Sequence, residues 1–186
     1  MNILLFGVSN VGKTTTGCKL AEHLGCRFYD LDDEVRKFYH VTLEEFVTSG
    51  TLSERDKKRG NVLQMIMAYP HDKVIAVSPI YYSSNFNRHI TGENVLAIEL
   101  QDSPLNIFDR LVFSDENDVI YKDEAYKNLH KKYYISDIKK DITWYKRSFS
   151  KIANKFQMNN DSVERVIERL IDSYGLMTLP SPESHY

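Results

Sequence analysis

The chain has 186 residues, with 24 lysines and arginines against 26 aspartates and glutamates, for a formal net charge of −2. That length suits one domain of roughly 100–200 residues. The 42% hydrophobic and 27% charged fractions are those of a folded globular chain and exclude a disordered one. The charge balance lacks the electrostatic footprint of a nucleic-acid binder, and no apolar run approaches the roughly 20 residues of a membrane helix. Cys18 and Cys26 make neither a disulfide framework nor a metal-ligand spacing. The expectation is a cytoplasmic protein, a monomer or weak dimer, without nucleic-acid or membrane partners.

The first apolar run, Asn2–Phe6, has no basic stretch before it and reads as a buried strand, not a signal peptide. It runs into Gly7-Val8-Ser9-Asn10-Val11-Gly12-Lys13-Thr14, which fits G-x-x-x-x-G-K-[ST] in full. Each fixed position has a physical reason. Gly7 and Gly12 let the backbone turn so that N–H groups converge on an anion. Asn10, Val11 and Thr15 fall in the same cradle, and Asn10 tolerates a left-handed backbone. The following helix, expected over Lys13–Leu24, adds its dipole. Lys13 reaches terminal phosphates, and the Thr14 hydroxyl suits a magnesium ion that keeps most of its waters. This pattern points to ATP or GTP. An Asn-Lys-x-Asp base-reading segment is absent from the sequence, which disfavours a GTP switch.

A second short strand, Arg27–Tyr29, is followed by Asp30, Asp32 and Asp33. Acids just past a buried strand lie at the carboxyl edge of a parallel sheet, where such folds bind ligands. Asp30 suits a magnesium-bound water, and Asp32 suits taking the proton from an attacking hydroxyl. The plainer reading is that Asp30 caps the next helix. Helical patterns then follow over Leu31–Tyr39, Leu43–Thr48 and Ser53–Ala68, with strands expected at Lys73–Val77 and Val95–Leu100 and a helix over Pro104–Leu111. Residues 114–146 are rich in Lys, Asp and Tyr and read as an exposed helical lid. A last strand is expected at Ser150–Ala153. A last helix is expected at Val163–Ser173, announced by Asp161 and Glu164 as a capping box. Alternating strands and helices predict an α/β fold in one domain over 1–174, with a tail at 175–186 outside the core.

These motifs resemble the shikimate kinase family in register. Gly12-Lys13-Thr14-Thr15-Thr16-Gly17, Leu20-Ala21, Leu24-Gly25, Phe28, Asp30 and Asp32 follow that family's opening segment. Gly50 before Arg55, Asn87-Arg88, the stretch Leu100–Arg110 and the stretch Tyr145–Ile167 continue the resemblance. It implies a P-loop NTPase fold of the nucleoside-monophosphate-kinase kind, with a five-stranded parallel sheet flanked by helices and a helical lid. It also implies transfer of the ATP γ-phosphoryl group to a hydroxyl of a small anionic metabolite. By the resemblance, Lys13 and the loop hold phosphates, and Thr14 with Asp30 organises Mg2+. Asp32 engages the acceptor hydroxyl, Arg55 pairs with the acceptor's carboxylate, Arg110 lies on adenine and Asn159 meets the adenine edge.

Departures gather on the acceptor side. Three consecutive family glycines are replaced by Ser78-Pro79-Ile80, which makes Ser78 the acceptor-facing candidate there. The family's second carboxylate-binding arginine falls at Ile152, and a glutamate three residues after Arg55 becomes Lys58. No arginine occurs between Arg110 and Arg147 in the lid. Two readings follow: a kinase of shikimate or another hydroxy or sugar acid, or a nucleotide-binding regulatory protein that has lost transfer.

Overall fold

Five strands form one parallel sheet in the order β2-β3-β1-β4-β7 in the computed structural model, which describes residues 1–176. The strands are β1 (Asn2–Phe6), β2 (Arg27–Asp30), β3 (Lys73–Ala76), β4 (Val95–Gln101) and β7 (Asn154–Gln157). The central β1 reads Asn-Ile-Leu-Leu-Phe because it is covered on both faces, and Leu4, Leu5 and Phe6 are fully buried. Each such side chain contributes about 1.5–3 kcal/mol of transfer free energy. In register, Leu5 lies between Ala76 of β3 and Ile98 of β4. All five carboxyl ends therefore open on one edge, from which Gly7, Asp30, Ser78 and Asp102 emerge.

The helices are α1 (Lys13–Leu24), α2 (Leu31–Tyr39), α3 (Leu43–Thr48), α4 (Leu52–Met67), α5 (Asn87–Ile90), α6 (Pro104–Asp109), α7 (Glu124–Leu129), α8 (Lys131–Phe149) and α9 (Val163–Tyr174). On α1, Thr16, Leu20, Ala21 and Leu24 recur at helical spacing and form its buried stripe. Thr42 with Glu45 and Thr51 with Glu54 make reciprocal capping boxes that fix where α3 and α4 begin. Among the described residues, no helix is long and apolar enough to cross a membrane.

Four expectations need correction. The last strand is not Ser150–Ala153. That segment is the turn after α8, and β7 lies four residues later, pairing Glu99 with Lys155 and Gln101 with Gln157. The cap of α9 is Ser162, whose hydroxyl accepts from Arg165 N, while Asp161 instead pairs with Arg169 at 2.5 Å. The segment 114–146 is not exposed throughout, because Lys127 is buried and Ile138 carries α8 into the core. What projects is a small hairpin of β5 (Phe113–Ser114) and β6 (Ile120–Tyr121) followed by α7. Leu176 is buried in the core, so the packed chain runs past 174. The rest of the expected tail, 177–186, lies outside the described residues.

The hairpin is fastened to the other side of the molecule. Asp118, at φ +62°, accepts from Leu43 N at 3.0 Å and pairs with Arg36 at 2.8 Å. Helix α8 is fastened too. The Ser148 hydroxyl donates to the Tyr81 carbonyl, and the Trp144 ring lies 4.7 Å from that of Tyr81. This holds α8 against the loop that follows β3.

Candidate active site

The loop between β1 and α1 takes the shape its glycines allow. Gly7 has φ +141°, and a Cβ there would stand 2.7 Å from the Leu100 carbonyl oxygen. Gly12 has φ +111°, and Asn10 sits left-handed at φ +60°. Val11 is buried beneath the loop, while Thr14 and Thr15 lie exposed on the first turn of α1. The Lys13 ammonium folds over the loop and donates to the carbonyls of Gly7 and Val8, each at 2.9 Å. Burial draws its pKa down to about 8, opposed by the nearby charges of Asp32 and Asp30.

The two carboxylate oxygens of Asp30 serve two partners. Its Oδ1 accepts from Asp32 N at 3.0 Å as the cap of α2, and its Oδ2 accepts from the Thr14 hydroxyl at 2.6 Å. Burial pushes its carboxyl above the usual range, against the lowering effect of the Thr14 hydrogen bond. The capping and metal readings are therefore compatible. A hydroxyl beside a carboxylate is the sparse donor set that a hydrated magnesium ion takes together with phosphate oxygens. Among the described residues, no cluster of three His, Cys, Asp or Glu side chains is placed to hold a metal alone.

Arg110 lies across the loop. It pairs with Asp102 at 2.7 Å, stands 3.5 Å from the Val11 carbonyl and donates to Asn160 Oδ1 at 3.3 Å. Asn159 and Asn160 are both exposed and left-handed at φ 55°, so the turn after β7 sits beside Arg110. Arg110 thus contacts Asn160, the chain neighbour of the expected adenine-edge residue Asn159.

At the other end is a cavity of about 250 Å³. Its polar wall is Ser9, Asp32, Arg55, Arg59 and Tyr145, with Pro79 on the β3 side and Leu43, Val47 and Leu52 closing it. The Arg55 guanidinium is steadied by the carbonyls of Ser49 at 3.0 Å and Gly50 at 2.9 Å. Ser78 is only 3% exposed with its hydroxyl unpartnered, and its neighbour Pro79 is the residue that meets the cavity. Ile152, where the resemblance placed a second arginine, is buried and precedes the strand.

Arg59 was not singled out in the sequence. It is 8% exposed, its Nε stands 3.6 Å from Asp32 Oδ1, and its guanidinium lies 5.0 Å from the centre of the Phe46 ring. The available signal was its spacing, one helical turn after Arg55. Tyr145, Asp102 and Asn160 were also missed, and each depends on a contact far along the chain. A larger cavity of about 520 Å³ lies under α8, walled by Val8, Val11 and the Glu99–Lys155 pair, and neither Asp30 nor Asp32 borders it.

Comparison with known proteins gives a consistent result. A family model described as shikimate kinase matches residues 9–173. A shikimate kinase of Persephonella marina is 31% identical over 147 residues, covering 74% of this chain and 87% of the relative. One from Thiobacillus denitrificans is 31% identical over 110 residues, 59% of each chain, so the match spans less than two thirds of that relative's length. Among solved structures, a shikimate kinase from Bacteroides thetaiotaomicron superposes with a TM-score of 0.75 at 20% identity, covering 95% of this chain and 99% of its own. A shikimate kinase from Acinetobacter baumannii in complex with shikimate gives 0.68 at 21% identity, with 95% of both chains covered. At those identities the superpositions establish the fold.

Proposed function

This chain belongs to the shikimate kinase family, and we propose that it transfers the γ-phosphoryl group of ATP to a hydroxyl of a small carboxylic acid, with shikimate the first acceptor to test. The observation that carries this reading is the position of Asp32. It lies on the first turn of α2, close enough to the phosphate loop to act on the charge of Lys13, and also lines the 250 Å³ cavity bordered by Arg55. A hydroxyl bound there has a base on one side and the phosphate loop on the other.

In this reading the loop N–H groups and Lys13 hold the β- and γ-phosphates. Lys13, whose pKa burial draws down to about 8, is held in its charged form by the phosphate oxygens. Thr14 and Asp30 would hold Mg2+, which when bound supplies charge neutralisation between the phosphates. Arg110, with Asn159 nearby, lies where the base would rest, since a guanidinium can stack on an aromatic ring. Arg55 fits a carboxylate with its fork of donors. Asp32 takes the hydroxyl proton as the acceptor oxygen bonds to phosphorus and the β–γ bridging bond breaks, leaving ADP and a phosphate monoester.

Proline at 79 removes an N–H and adds a ring to the wall facing the acceptor. Backbone contact with the acceptor is reduced on that side, and side chains must supply more of its recognition. The test is ADP release and ester formation over a panel of shikimate, other hydroxy and sugar acids, and uncharged polyols. The reading predicts ester formation with at least one carboxylate and none with the polyols. ATP binding with no ester on any acceptor would overturn it and leave a nucleotide-binding protein.

A further inference from the structure

The wall of the acceptor cavity and the residues behind it hold more unsatisfied buried polarity than a closed structural network would. Asp32 and Arg59 line the cavity, and Asp56 and Ser78 are next to lining residues in the chain. Asp32 Oδ1, Arg59 Nε, Asp56 Oδ1 and Ser78 Oγ are all buried without a hydrogen-bond partner. Buried polar groups are nearly always paired, and leaving one unpaired is costly. The Arg59 side chain is nine-tenths buried, and its guanidinium makes no hydrogen bond to any described residue. Its two acidic neighbours stand too far for one, at 3.6 Å for Asp32 and 3.9 Å for Asp56. Asp56 is committed elsewhere, accepting from Tyr82 N at 2.9 Å. A largely buried guanidinium with its donors unspent, on the wall of a cavity, is arranged for something that occupies the cavity.

The helix explains its orientation. Arg55 and Arg59 lie one turn apart on α4, so they share a face, and both border the cavity. Gly60, the next residue, lies close against the turn after β3, where a Cβ would stand 2.9 Å from the Asn85 carbonyl oxygen. That close approach, with the Phe46 ring against the guanidinium, fixes the rotation of α4 and leaves Arg59 little freedom.

We propose that Arg59 is a second acceptor-binding arginine. Its terminal nitrogens join Arg55 in gripping the acceptor's carboxylate, while its Nε steadies the carboxylate of Asp32. The five donors of one guanidinium suffice for both contacts. The proposal rests on the phosphotransfer reading for the role of Asp32, but its ligand-binding half stands independently. It also accounts for the buried apolar residue at 152: the second cation comes from α4 instead of the last strand.

The test is calorimetric titration of the full chain with shikimate and with shikimate methyl ester, which keeps the hydroxyls and removes the charge. Wild type is expected to bind the acid at least about tenfold more tightly than the ester, since charge-assisted hydrogen bonds act on the acid alone. Arg59→Gln should lose about tenfold in affinity for the acid and leave the ester and ATP unchanged. ATP affinity also reports that the variant is folded. Arg59→Lys, which keeps the charge without the fork, should fall between the two and carries the test if the glutamine variant does not fold. The proposal is overturned if wild type does not distinguish acid from ester, or if both variants preserve the distinction. ADP release by wild type is read separately. Binding that discriminates without any transfer removes the phosphotransfer reading alone, and transfer with discrimination intact in both variants removes the Arg59 proposal alone.

Discussion

ATP affinity should fall as pH rises through about 8, and the structure sets the size of the effect. Lys13 is half-buried and donates to the carbonyls of Gly7 and Val8, and desolvation draws its pKa down to about 8. Bound phosphate favours the charged ammonium, so its pKa rises on binding and ATP selects the protonated form. A group titrating at about 8 is about three-quarters charged near pH 7.5 and about one-tenth charged near pH 9. Affinity should therefore drop about eightfold over that interval, about 1.2 kcal/mol, with uptake of about 0.9 proton per ATP near the upper end. Isothermal titration in two buffers of different ionisation enthalpy measures both quantities. The Lys13→Gln variant should bind weakly and without the slope. Flat affinity in wild type, or an unchanged slope in the variant, would refute the assignment of the titration to Lys13.

Gly7→Ala should destabilise the fold by about 2 kcal/mol or more, because φ +141° and the Leu100 carbonyl both oppose a Cβ. Thermal unfolding should show a fall of about 5 °C or more, and a near-native midpoint would contradict the strain. Asp30→Asn keeps a good cap, so stability should stay within about 0.5 kcal/mol. The gain in ATP affinity on adding magnesium should nevertheless shrink, and an unchanged magnesium response by calorimetry would remove Asp30 from the metal site. Asp118→Ala should cost about 1–2 kcal/mol through the lost Leu43 and Arg36 contacts. Burial alone would raise that carboxyl, but those two donors hold it below its usual value, so its contribution is present above about pH 4 and lost as pH falls further. Urea unfolding of wild type and variant at several pH values should converge in acid, and parallel curves would contradict this.

The first half of the chain was legible because its signals are local. β1 is apolar after Asn2 and opens directly onto the glycine loop, and Thr42 and Thr51 cap their helices through the next turn. The last strand was not, because Asn154–Gln157 has one buried apolar residue, Phe156, and its polar members are matched across the sheet. Lys155 pairs with Glu99 and Gln157 donates to Gln101, partners 56 residues away in sequence. Reading the strand from apolar content alone put it at Ile152. The exposure of 114–146 was overread for a related reason: α8 shows a polar, exposed side at Lys132, Tyr133 and Lys139 but spends Ile138 on the core. Arg59 was illegible because it sits among several charges on α4 and only the fold sets Asp32, Phe46 and Asp56 around it. The paired role of Asp30 was legible only as two competing readings, since spacing cannot reveal that its two oxygens serve different partners.

The most direct test of the account is phosphorus NMR of ATP, magnesium and shikimate incubated with wild type and with Asp32→Asn. The account predicts a phosphate monoester formed in step with ADP by wild type. In the variant the ester rate should fall by about a hundredfold or more, with ATP still bound because the loop and Lys13 remain. An Asp32→Asn protein that forms ester at the wild-type rate would contradict the assignment of Asp32 as the proton acceptor on which the proposed chemistry is built.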